Sequence, residues 1–464
     1  MRFESRVKKK RWYPLDNSAK STDMLMGSIF KSILLFSIPL LIGNLFQQLY
    51  NTVDSYVVGN YVNTSALAAV GASASVINML VGFFMGLSAG AGVVISQYYG
   101  AKCWEEMSDA VHSALALTGI LGLFFTIIGI LLTRPLLRSI GVPEDVLPHS
   151  TLYLTIYFGG IIFSLIYNIG SGILRAIGDS KNPLIYLIVA SLVNIGLDFI
   201  FVCGFGLGIA GVAIATVIAQ AVSSVMVMYK LMTAKDAYRV NIKKIRFHSK
   251  ITQQIISVGL PTALQLSITS FSNVIVQSYI NHFGTAAIAA YSTTLRIDAF
   301  LQMILQSFNM TITTFVGQNI GAGHFKRVKR GIFTSWLMCT IIIAIGTIFV
   351  NLEAETLIKI FTDDSAVITN GAQMLRIFST MYLILPVLQI LNGALRGAGL
   401  SKVPMYFMLG TLVLLRQIYL MIAVPYTDNL MVVMAAWPIT WCICAVGMAI
   451  YFVKVDWLHE KKVS

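Results

Sequence analysis

Charged residues are scarce in this sequence. Asp, Glu, Lys and Arg together make up 11% of its 464 residues, whereas 56% are hydrophobic. A soluble protein carries about 25% charged residues, so a water-soluble globular protein is excluded. The pattern of alternating ten-residue strands that a membrane β-barrel needs is also absent. The mean hydropathy of +0.77 therefore predicts an integral membrane protein made of helices, because backbone groups in lipid must bond within their own segment.

Cysteine and catalytic motifs are equally sparse. The five Cys are scattered and show no metal-ligand spacing, so neither a disulfide framework nor a zinc site is predicted. No HExxH motif occurs, and no His lies close in sequence to the acidic residues of the apolar segments. A membrane-embedded enzyme would need a nucleophile or a metal constellation in those segments. We therefore predict a protein that is not an enzyme and that has no cofactor.

Long apolar runs are what the sequence does contain. Twelve of them are long enough to cross a bilayer, which takes about 20 residues per helix. Their limits are 33–59, 66–99, 111–133, 150–174, 184–203, 209–232, 254–283, 286–318, 331–350, 368–395, 405–424 and 431–453. The expected fold is an all-α membrane protein with twelve transmembrane helices, named here span 1 to span 12.

Basic residues are distributed unevenly among the predicted loops. With a cytoplasmic N-terminus, most of the 33 Lys and Arg fall in the N-terminal segment, the inner loops and the tail, and only Arg134, Arg138 and Lys359 fall outside. This asymmetry follows the positive-inside rule. It predicts a multi-pass protein of the plasma (inner) membrane with both termini cytoplasmic. The net charge of +13 is explained in the same way, so the expected partners are the lipid bilayer and small molecules, not nucleic acid.

The sequence repeats itself at an offset of about 221 residues. The segment GILRAIGDSKNP at 172–183 matches GALRGAGLSKVP at 393–404, and QYYGA at 97–101 matches QNIGA at 318–322. Each half holds six spans, and an even number returns the second half in the same orientation. We therefore expect two six-helix lobes related by a parallel pseudo-two-fold repeat, working as a monomer. The predicted parts are a basic N-terminus (1–30), an N-lobe (31–232), a cytoplasmic linker (233–252), a C-lobe (253–453) and a cytoplasmic tail (454–464).

Three acidic residues lie well inside spans, namely Asp54, Asp198 and Asp298. Such residues are costly in lipid and usually face a cavity or a partner. Asp54 in span 1 and Asp198 in span 5 are at similar depth, together with Asn194 and Thr216. Their oxygens suit a hard cation such as Na⁺, and alternatively one of two adjacent carboxylates would hold a proton. The alternative is a purely structural role, in which Asn194 and Asp198 hold helices together by hydrogen bonds. For Asp298 we expect an ion pair with Arg296 or with an Arg of a neighbouring helix.

Polar residues at helical spacing mark the first span of each half. A substrate cleft lined by both faces is predicted, with Arg416 of span 11 as a further substrate contact. The cleft residues are Asn44, Gln47 and Asn51 in span 1, with Gln265, Thr269 and Asn273 in span 7.

At these residues the sequence resembles the multidrug and toxic compound extrusion (MATE) family. The resemblance covers about residues 25–455. It rests on IPLLIGNLFQQLYNTVDSYVVG in span 1, the two LRxxGxSKxP turns, the QYYGA and GQNIGAG turns, NIGLD in span 5 and GIAGVAIAT in span 6.

This resemblance implies cation-driven export of structurally diverse, often cationic drugs by alternating access. It also implies that Asp54, Asn194, Asp198 and Thr216 match the family's first-lobe site for sodium or a proton. Some members use acids in spans 7 and 10 instead, and these are missing here. The competing hypothesis is a flippase or exporter of a lipid-linked or endogenous metabolite from the same superfamily.

Overall fold

The computed structural model describes residues 22–62, 64–426 and 429–458, and every regular element within them is helical. The α-helices are α1 Ile29–Tyr61, α2 Thr64–Gly100, α3 Trp104–Ser139, α4 Leu147–Gly159, α5 Ile161–Ala176, α6 Lys181–Asp198, α7 Gly208–Thr233, α8 Ser249–Asn281, α9 Thr285–Gly321, α10 Phe325–Leu352, α11 Ala354–Lys359, α12 Ser365–Met381, α13 Leu385–Gly397, α14 Lys402–Met408, α15 Arg416–Ala423 and α16 Leu430–Lys454. Two π-helical segments, Phe199–Gly204 and Leu409–Leu415, follow α6 and α14. The predicted all-α membrane fold is confirmed.

The long helices account for the predicted spans. In the described part of the chain, ten helical segments are long and apolar enough to cross a membrane, and α4 with α5 forms an eleventh that is bent by 50°. The bend lies at Gly160, where an added Cβ would come within 2.3 Å of Val217. The remaining predicted span, span 8, is α9, which has the length of α2 but carries Arg296 and Asp298 in its first half.

The described residues divide into two compact units. The N-unit holds residues 22–23 and 38–263, and the C-unit holds residues 24–37, 264–426 and 429–458. The N-unit therefore contains most of α1, all of α2 to α7 and the first turns of α8. The C-unit contains the rest of α8 and all helices from α9 to α16.

The internal repeat is visible in the elements of the two units. Helices α2 and α9 both have 37 residues, and their first residues are 221 positions apart. The first residues of α3 and α10, and those of α6 and α14, are also 221 positions apart. Even a hydrogen bond is repeated. In the N-unit Ser88 Oγ donates to the carbonyl of Asn168 at 2.6 Å, and in the C-unit Asn309 Nδ2 donates to the carbonyl of Gln389 at 2.7 Å. Donor and donor, and acceptor and acceptor, are each 221 positions apart in the two bonds. The repeat therefore preserves packing as well as sequence.

Small residues bring α2 close to the start of α8 within the N-unit. A Cβ added to Gly90 would lie 2.3 Å from the Cα of Gly259, and one added to Gly86 would lie 2.3 Å from the Cα of Ala263. The backbones touch directly, as at other small-residue crossings of membrane helices. The letters GLSAG at 86–90 match a hydrolase nucleophile motif, but they lie inside α2 rather than at a strand-to-helix turn.

The segment between the two repeats packs against the N-unit. Tyr238 and Val240 are buried in a hydrophobic cluster with residues of α3 and α7. The backbone N–H of Val240 donates to Leu231 at 2.9 Å, and that of Asn241 donates to Nε2 of His112 at 3.0 Å. The other ring nitrogen, Nδ1, lies 2.7 Å from the Ser108 carbonyl oxygen. The predicted cytoplasmic linker is thus held along α3.

Candidate functional site

The four residues predicted to bind a cation are all buried in the N-unit. Asp54 is 6% exposed, Asp198 0%, Asn194 1% and Thr216 5%. Asp54 is carried by α1 and Thr216 by α7, while Asn194 and Asp198 are one turn apart at the end of α6. The π-helical segment Phe199–Gly204 begins directly after Asp198. Such segments are rare and are found most often at functional sites.

Asp54, Asp198 and Asn194 converge. The side chain of Asp54 faces both Asp198 and Asn194. Five polar atoms of these residues have no hydrogen-bond partner in the described part of the chain: Oδ1 of Asp54, both carboxylate oxygens of Asp198, and Oδ1 and Nδ2 of Asn194. Buried polar atoms in native proteins are nearly always bonded, so a convergent group of orphaned oxygens needs a further partner.

Thr216 belongs to the same region through a tyrosine. Its hydroxyl donates to the Val212 carbonyl of its own helix at 3.0 Å, and its side chain faces Tyr153. Tyr153 in turn faces Asp54. Thr216 therefore lies one side chain away from the carboxylate pair.

Three tyrosines complete the pocket wall, and sequence reasoning missed them. Tyr50 faces both Asp54 and Asp198, and Tyr153 and Tyr157 are buried on α4. Tyr157 lies beside Ser164 and Gln220. The sequence carried one usable signal, because Tyr153 and Tyr157 are four residues apart and so share one helix face. In an apolar span, that spacing looks the same as ordinary aromatic core.

The donor set fits a hard cation or a proton. Carboxylate, amide and hydroxyl oxygens are the ligands that Na⁺-like cations prefer, and two adjacent buried carboxylates can also share a proton. Among the described residues, neither Asp54 nor Asp198 pairs with a Lys, Arg or His. No group of three or more His, Cys, Asp or Glu that could hold a metal ion is found among the described residues either. At about 4 Å and an effective dielectric of 20, two ionised carboxylates repel by about 4 kcal/mol, and either a cation or a proton relieves this repulsion.

The predicted cleft residues of α1 lie on the N-unit. Gln47 and Asn51 are exposed, and Asn44 is half-buried. Together with Asp54 they recur every three or four residues and form one polar face of α1. This face leads along the helix towards the carboxylate pair.

The predicted cleft residues of α8 lie on the C-unit and reach different partners. Gln265 is buried and donates through Nε2 to Sδ of Met408 at 2.8 Å, and the Thr269 hydroxyl donates to the Gln265 carbonyl at 2.7 Å. Asn273 is exposed, and its Oδ1 accepts from Nη1 of Arg416 at 3.2 Å. The structure therefore links the predicted Arg416 to the polar face of α8.

The predicted ion pair of Asp298 is wrong. Within the described residues Asp298 contacts no Arg, and its Oδ2 accepts from Gln302 at 3.3 Å while its carboxylate faces Tyr382. Arg296 lies over the ring of Phe361, at 6.0 Å from the ring centroid. The physical reason is helical geometry, since residues two positions apart point to different sides of a helix.

Comparisons with known proteins agree with this architecture. A profile of the MatE family matches residues 39–200 and again residues 261–422, so each repeat matches separately. The chain is 30% identical over 384 residues to the "Probable multidrug resistance protein YoeA" of Bacillus subtilis (strain 168), covering 80% of this chain and 82% of that protein. It is 25% identical over 381 residues to the "Multidrug export protein MepA" of Staphylococcus aureus (strain bovine RF122 / ET3-1), covering 81% and 83%.

A solved structure shows the same fold. The structure described as an "Outward-facing conformation of a multidrug resistance MATE family transporter of the MOP superfamily" superposes with a TM-score of 0.88. The match covers 95% of this chain and 99% of the other at 24% identity. At that identity the likeness speaks for the fold alone.

Proposed function

The chain belongs to the MatE family of membrane transporters, and on that premise we propose that it is a cation-coupled antiporter. It exports structurally diverse, amphipathic and often cationic drugs by alternating access, with Na⁺ or H⁺ as the coupling ion. The names of its relatives, a multidrug resistance protein and a multidrug export protein, support drugs as the exported substrates. We further propose that it acts as a monomer in the plasma (inner) membrane with both termini in the cytoplasm.

The convergence of Asp54, Asp198 and Asn194 carries this proposal. Without a cation the two carboxylates repel each other across the gap between α1 and α6, and with a cation they are held together. The bound ion therefore biases the position of α1, which also carries Asn44, Gln47 and Asn51. Drug and ion exchange when the two states of the transporter differ in affinity for each of them. Tyr50, Tyr153 and Thr216 would supply further oxygens to the ion.

Drug binding is assigned to the polar faces of α1 and α8. In each unit these faces end at a buried charge, which is the carboxylate pair in the N-unit and Arg416 in the C-unit. We propose that Gln265, Thr269 and Asn273 contact the substrate on the C-unit. Arg416 acts through its hydrogen bond to Asn273.

Ethidium efflux from cells tests the coupling. Wild type, Asp54→Asn and the control Asp145→Asn, which changes an exposed carboxylate, are compared at matched surface expression in sodium and in choline buffer. We expect Asp54→Asn to slow efflux by about 5- to 150-fold, the range that coupling free energies of 1–3 kcal/mol give, and the control to match wild type.

Efflux in the two buffers identifies the coupling ion and tests the proposal. Efflux that rises with sodium indicates Na⁺ coupling, whereas efflux that ignores sodium and stops with an uncoupler indicates H⁺ coupling. Equal transport by Asp54→Asn and wild type under all conditions would refute the role of the carboxylate. Absence of efflux from wild type would favour a lipid-linked or endogenous substrate instead.

A further inference from the structure

Arg416 is a buried cation that contacts no carboxylate of the described residues. Its side chain is 2% exposed and lies in the C-unit between α8, α9 and α16. Nε and Nη2 both point to the Thr440 hydroxyl, at 3.4 and 3.2 Å, and Nη1 points to Asn273 at 3.2 Å. Intramembrane ionisable residues are expensive, and they usually serve a function or pair with an opposite charge.

The hydrogen bonds of this guanidinium are few and long. A guanidinium has five N–H donors, and three contacts to neutral oxygens leave donors unused. Charge-assisted bonds to a carboxylate are typically about 2.7–2.9 Å and often bidentate, shorter than any contact of Arg416. The Thr440 hydroxyl is also committed as a donor to the Ala436 carbonyl of its own helix at 2.7 Å. The coordination of Arg416 is therefore incomplete.

The repeat relates Arg416 to a residue of the carboxylate site in the N-unit. Helix α6 starts at Lys181 and α14 at Lys402, so at this offset the counterpart of Arg416 is Ile195. The π-helical segment Leu409–Leu415 precedes Arg416, whereas the π-helical segment of the N-unit follows Asp198. A π-helical bulge takes up one extra residue, which shifts the counterpart of Arg416 to Asn194. The C-unit therefore carries a cation at the position where the N-unit carries Asn194, the neighbour of the carboxylate pair.

Aromatic rings surround the guanidinium on its other side. Arg416 lies over the ring of Trp437, at 5.1 Å from the ring centroid. Trp437 packs against Tyr291 at 5.8 Å and Phe378 at 5.5 Å between ring centroids. A cation over an indole ring is stabilised without being neutralised, so its charge stays available to an anion.

Asp298 is not the anionic partner of Arg416. Tyr291 faces both Arg416 and Asp298, and among the described residues the two charged groups form no ion pair with each other. Oδ2 of Asp298 accepts from Gln302 at 3.3 Å and its carboxylate faces Tyr382, while its Oδ1 has no hydrogen-bond partner in the described part of the chain. The one exposed residue in the immediate contacts of the guanidinium is Asn273, whose amide oxygen occupies the place that an incoming carboxylate oxygen would take.

We propose that Arg416 and Asn273 form a subsite for the carboxylate of an aromatic anionic or zwitterionic substrate. The proposal rests on the exporter function given above and adds a substrate class to it. The carboxylate replaces the Asn273 oxygen at Nη1 and takes up the unused donors, while the aromatic part of the substrate lies near Trp437. Cationic drugs without a carboxylate do not need this subsite.

The experiment measures binding of a matched pair of probes to purified protein in detergent. Ciprofloxacin carries a carboxylate on an aromatic ring system, and its methyl ester lacks that charge but keeps the rings and the amine. Dissociation constants follow from the fluorescence anisotropy of each probe. Arg416→Gln is expected to weaken ciprofloxacin binding by about 10- to 100-fold, the loss typical of a hydrogen bond to a charged group, and to leave ester binding unchanged.

Two further variants guard against a merely structural effect. Asn273→Asp puts a carboxylate beside Arg416 without leaving the guanidinium unpaired, and it should abolish the preference for the acid over the ester. Arg376→Gln is the matched control, because Arg376 is exposed and pairs with Glu355 at 3.3 Å. It should keep the wild-type preference.

The outcomes separate this inference from the exporter proposal. If wild type exports ethidium but binds acid and ester equally, or if Arg416→Gln weakens both probes by the same factor, the carboxylate subsite is wrong and the exporter function stands. If the acid is preferred and the variants erase that preference while no drug is exported, the subsite stands and the exporter function is wrong.

Discussion

Removing one carboxylate of the Asp54–Asp198 pair should stabilise the protein when no cation is present. The two side chains face each other, and both oxygens of Asp198 lack a hydrogen-bond partner in the described part of the chain. Taking their separation as about 4 Å and an effective dielectric of 20, two ionised groups repel by about 4 kcal/mol, which is the upper limit of the gain. We expect Asp198→Asn to melt at a higher temperature than wild type in cation-poor buffer at high pH.

The same substitution should abolish the stabilisation that a coupling ion gives. A cation that binds only the folded protein at about 100 times its dissociation constant stabilises it by about 2.7 kcal/mol. Intrinsic-fluorescence melting in detergent, with and without sodium at high and low pH, measures both effects. Wild type should gain stability from sodium or from acid. Asp198→Asn should gain nothing from sodium and less than wild type from acid, because the buried Asp54 carboxylate remains.

Asp179 supplies a matched control for this experiment. It is also a buried carboxylate of the N-unit, but it accepts from the backbone N–H of Asn182 at 3.1 Å and from Asn182 Nδ2 at 2.5 Å. Asp179→Asn should therefore lower stability by about 1.5–3 kcal/mol, the worth of hydrogen bonds to a charged group. A lower melting temperature for Asp198→Asn than for wild type in cation-poor buffer, or an unchanged response to sodium and acid, would refute the reasoning.

Three further predictions concern the surroundings of the site and of the N-unit. Tyr153→Phe removes a hydroxyl that faces Asp54 and Thr216, so the coupling ion should be needed at higher concentration for half-maximal efflux, by about tenfold for a loss of 1.4 kcal/mol. Gly90→Ala brings a Cβ within 2.3 Å of the Gly259 Cα and should destabilise the protein by about 1–3 kcal/mol in melting experiments, whereas Gly119→Ala, with no atom within 4 Å, should be neutral. His112→Ala removes the acceptor for the Asn241 N–H, so trypsin should cut faster at Lys243 and Lys244, and unchanged cleavage there would contradict the proposed attachment of this segment.

The helical spans and the carboxylate pair could be predicted from sequence because both follow from long-range regularities. An apolar run of about 20 residues has one viable form in lipid, so the spans are fixed by composition. Asp54 and Asp198 fell at similar depth by counting residues along two spans, and α1 and α6 carry them to one place. Even α9 was predicted, as the apolar run 286–318, although Arg296 and Asp298 make it less apolar than α2.

Features that depend on side-chain direction or on local backbone irregularity could not be predicted from the sequence. Asp298 and Arg296 were expected to pair because they are close in sequence, but they point to different sides of α9. The bend at Gly160 and the two π-helical segments have no clear sequence signature, since they are set by packing against neighbouring helices. The tyrosines of α4 were missed because burial in lipid and burial at a polar site select the same residue type.

The linker segment (233–252), which is held along α3, has a consequence for folding during synthesis. The hydrophobic cluster that covers it also contains Ile251 and Ile255, which belong to the first turns of α8 and thus to the second repeat. A nascent chain that ends before residue 255 therefore lacks part of the N-unit core. Domains generally fold as units during synthesis, the N-terminal one first. Here the first half can finish folding only after the start of the second has left the ribosome, so a gene divided between 232 and 253 would encode a first half with an unfinished core.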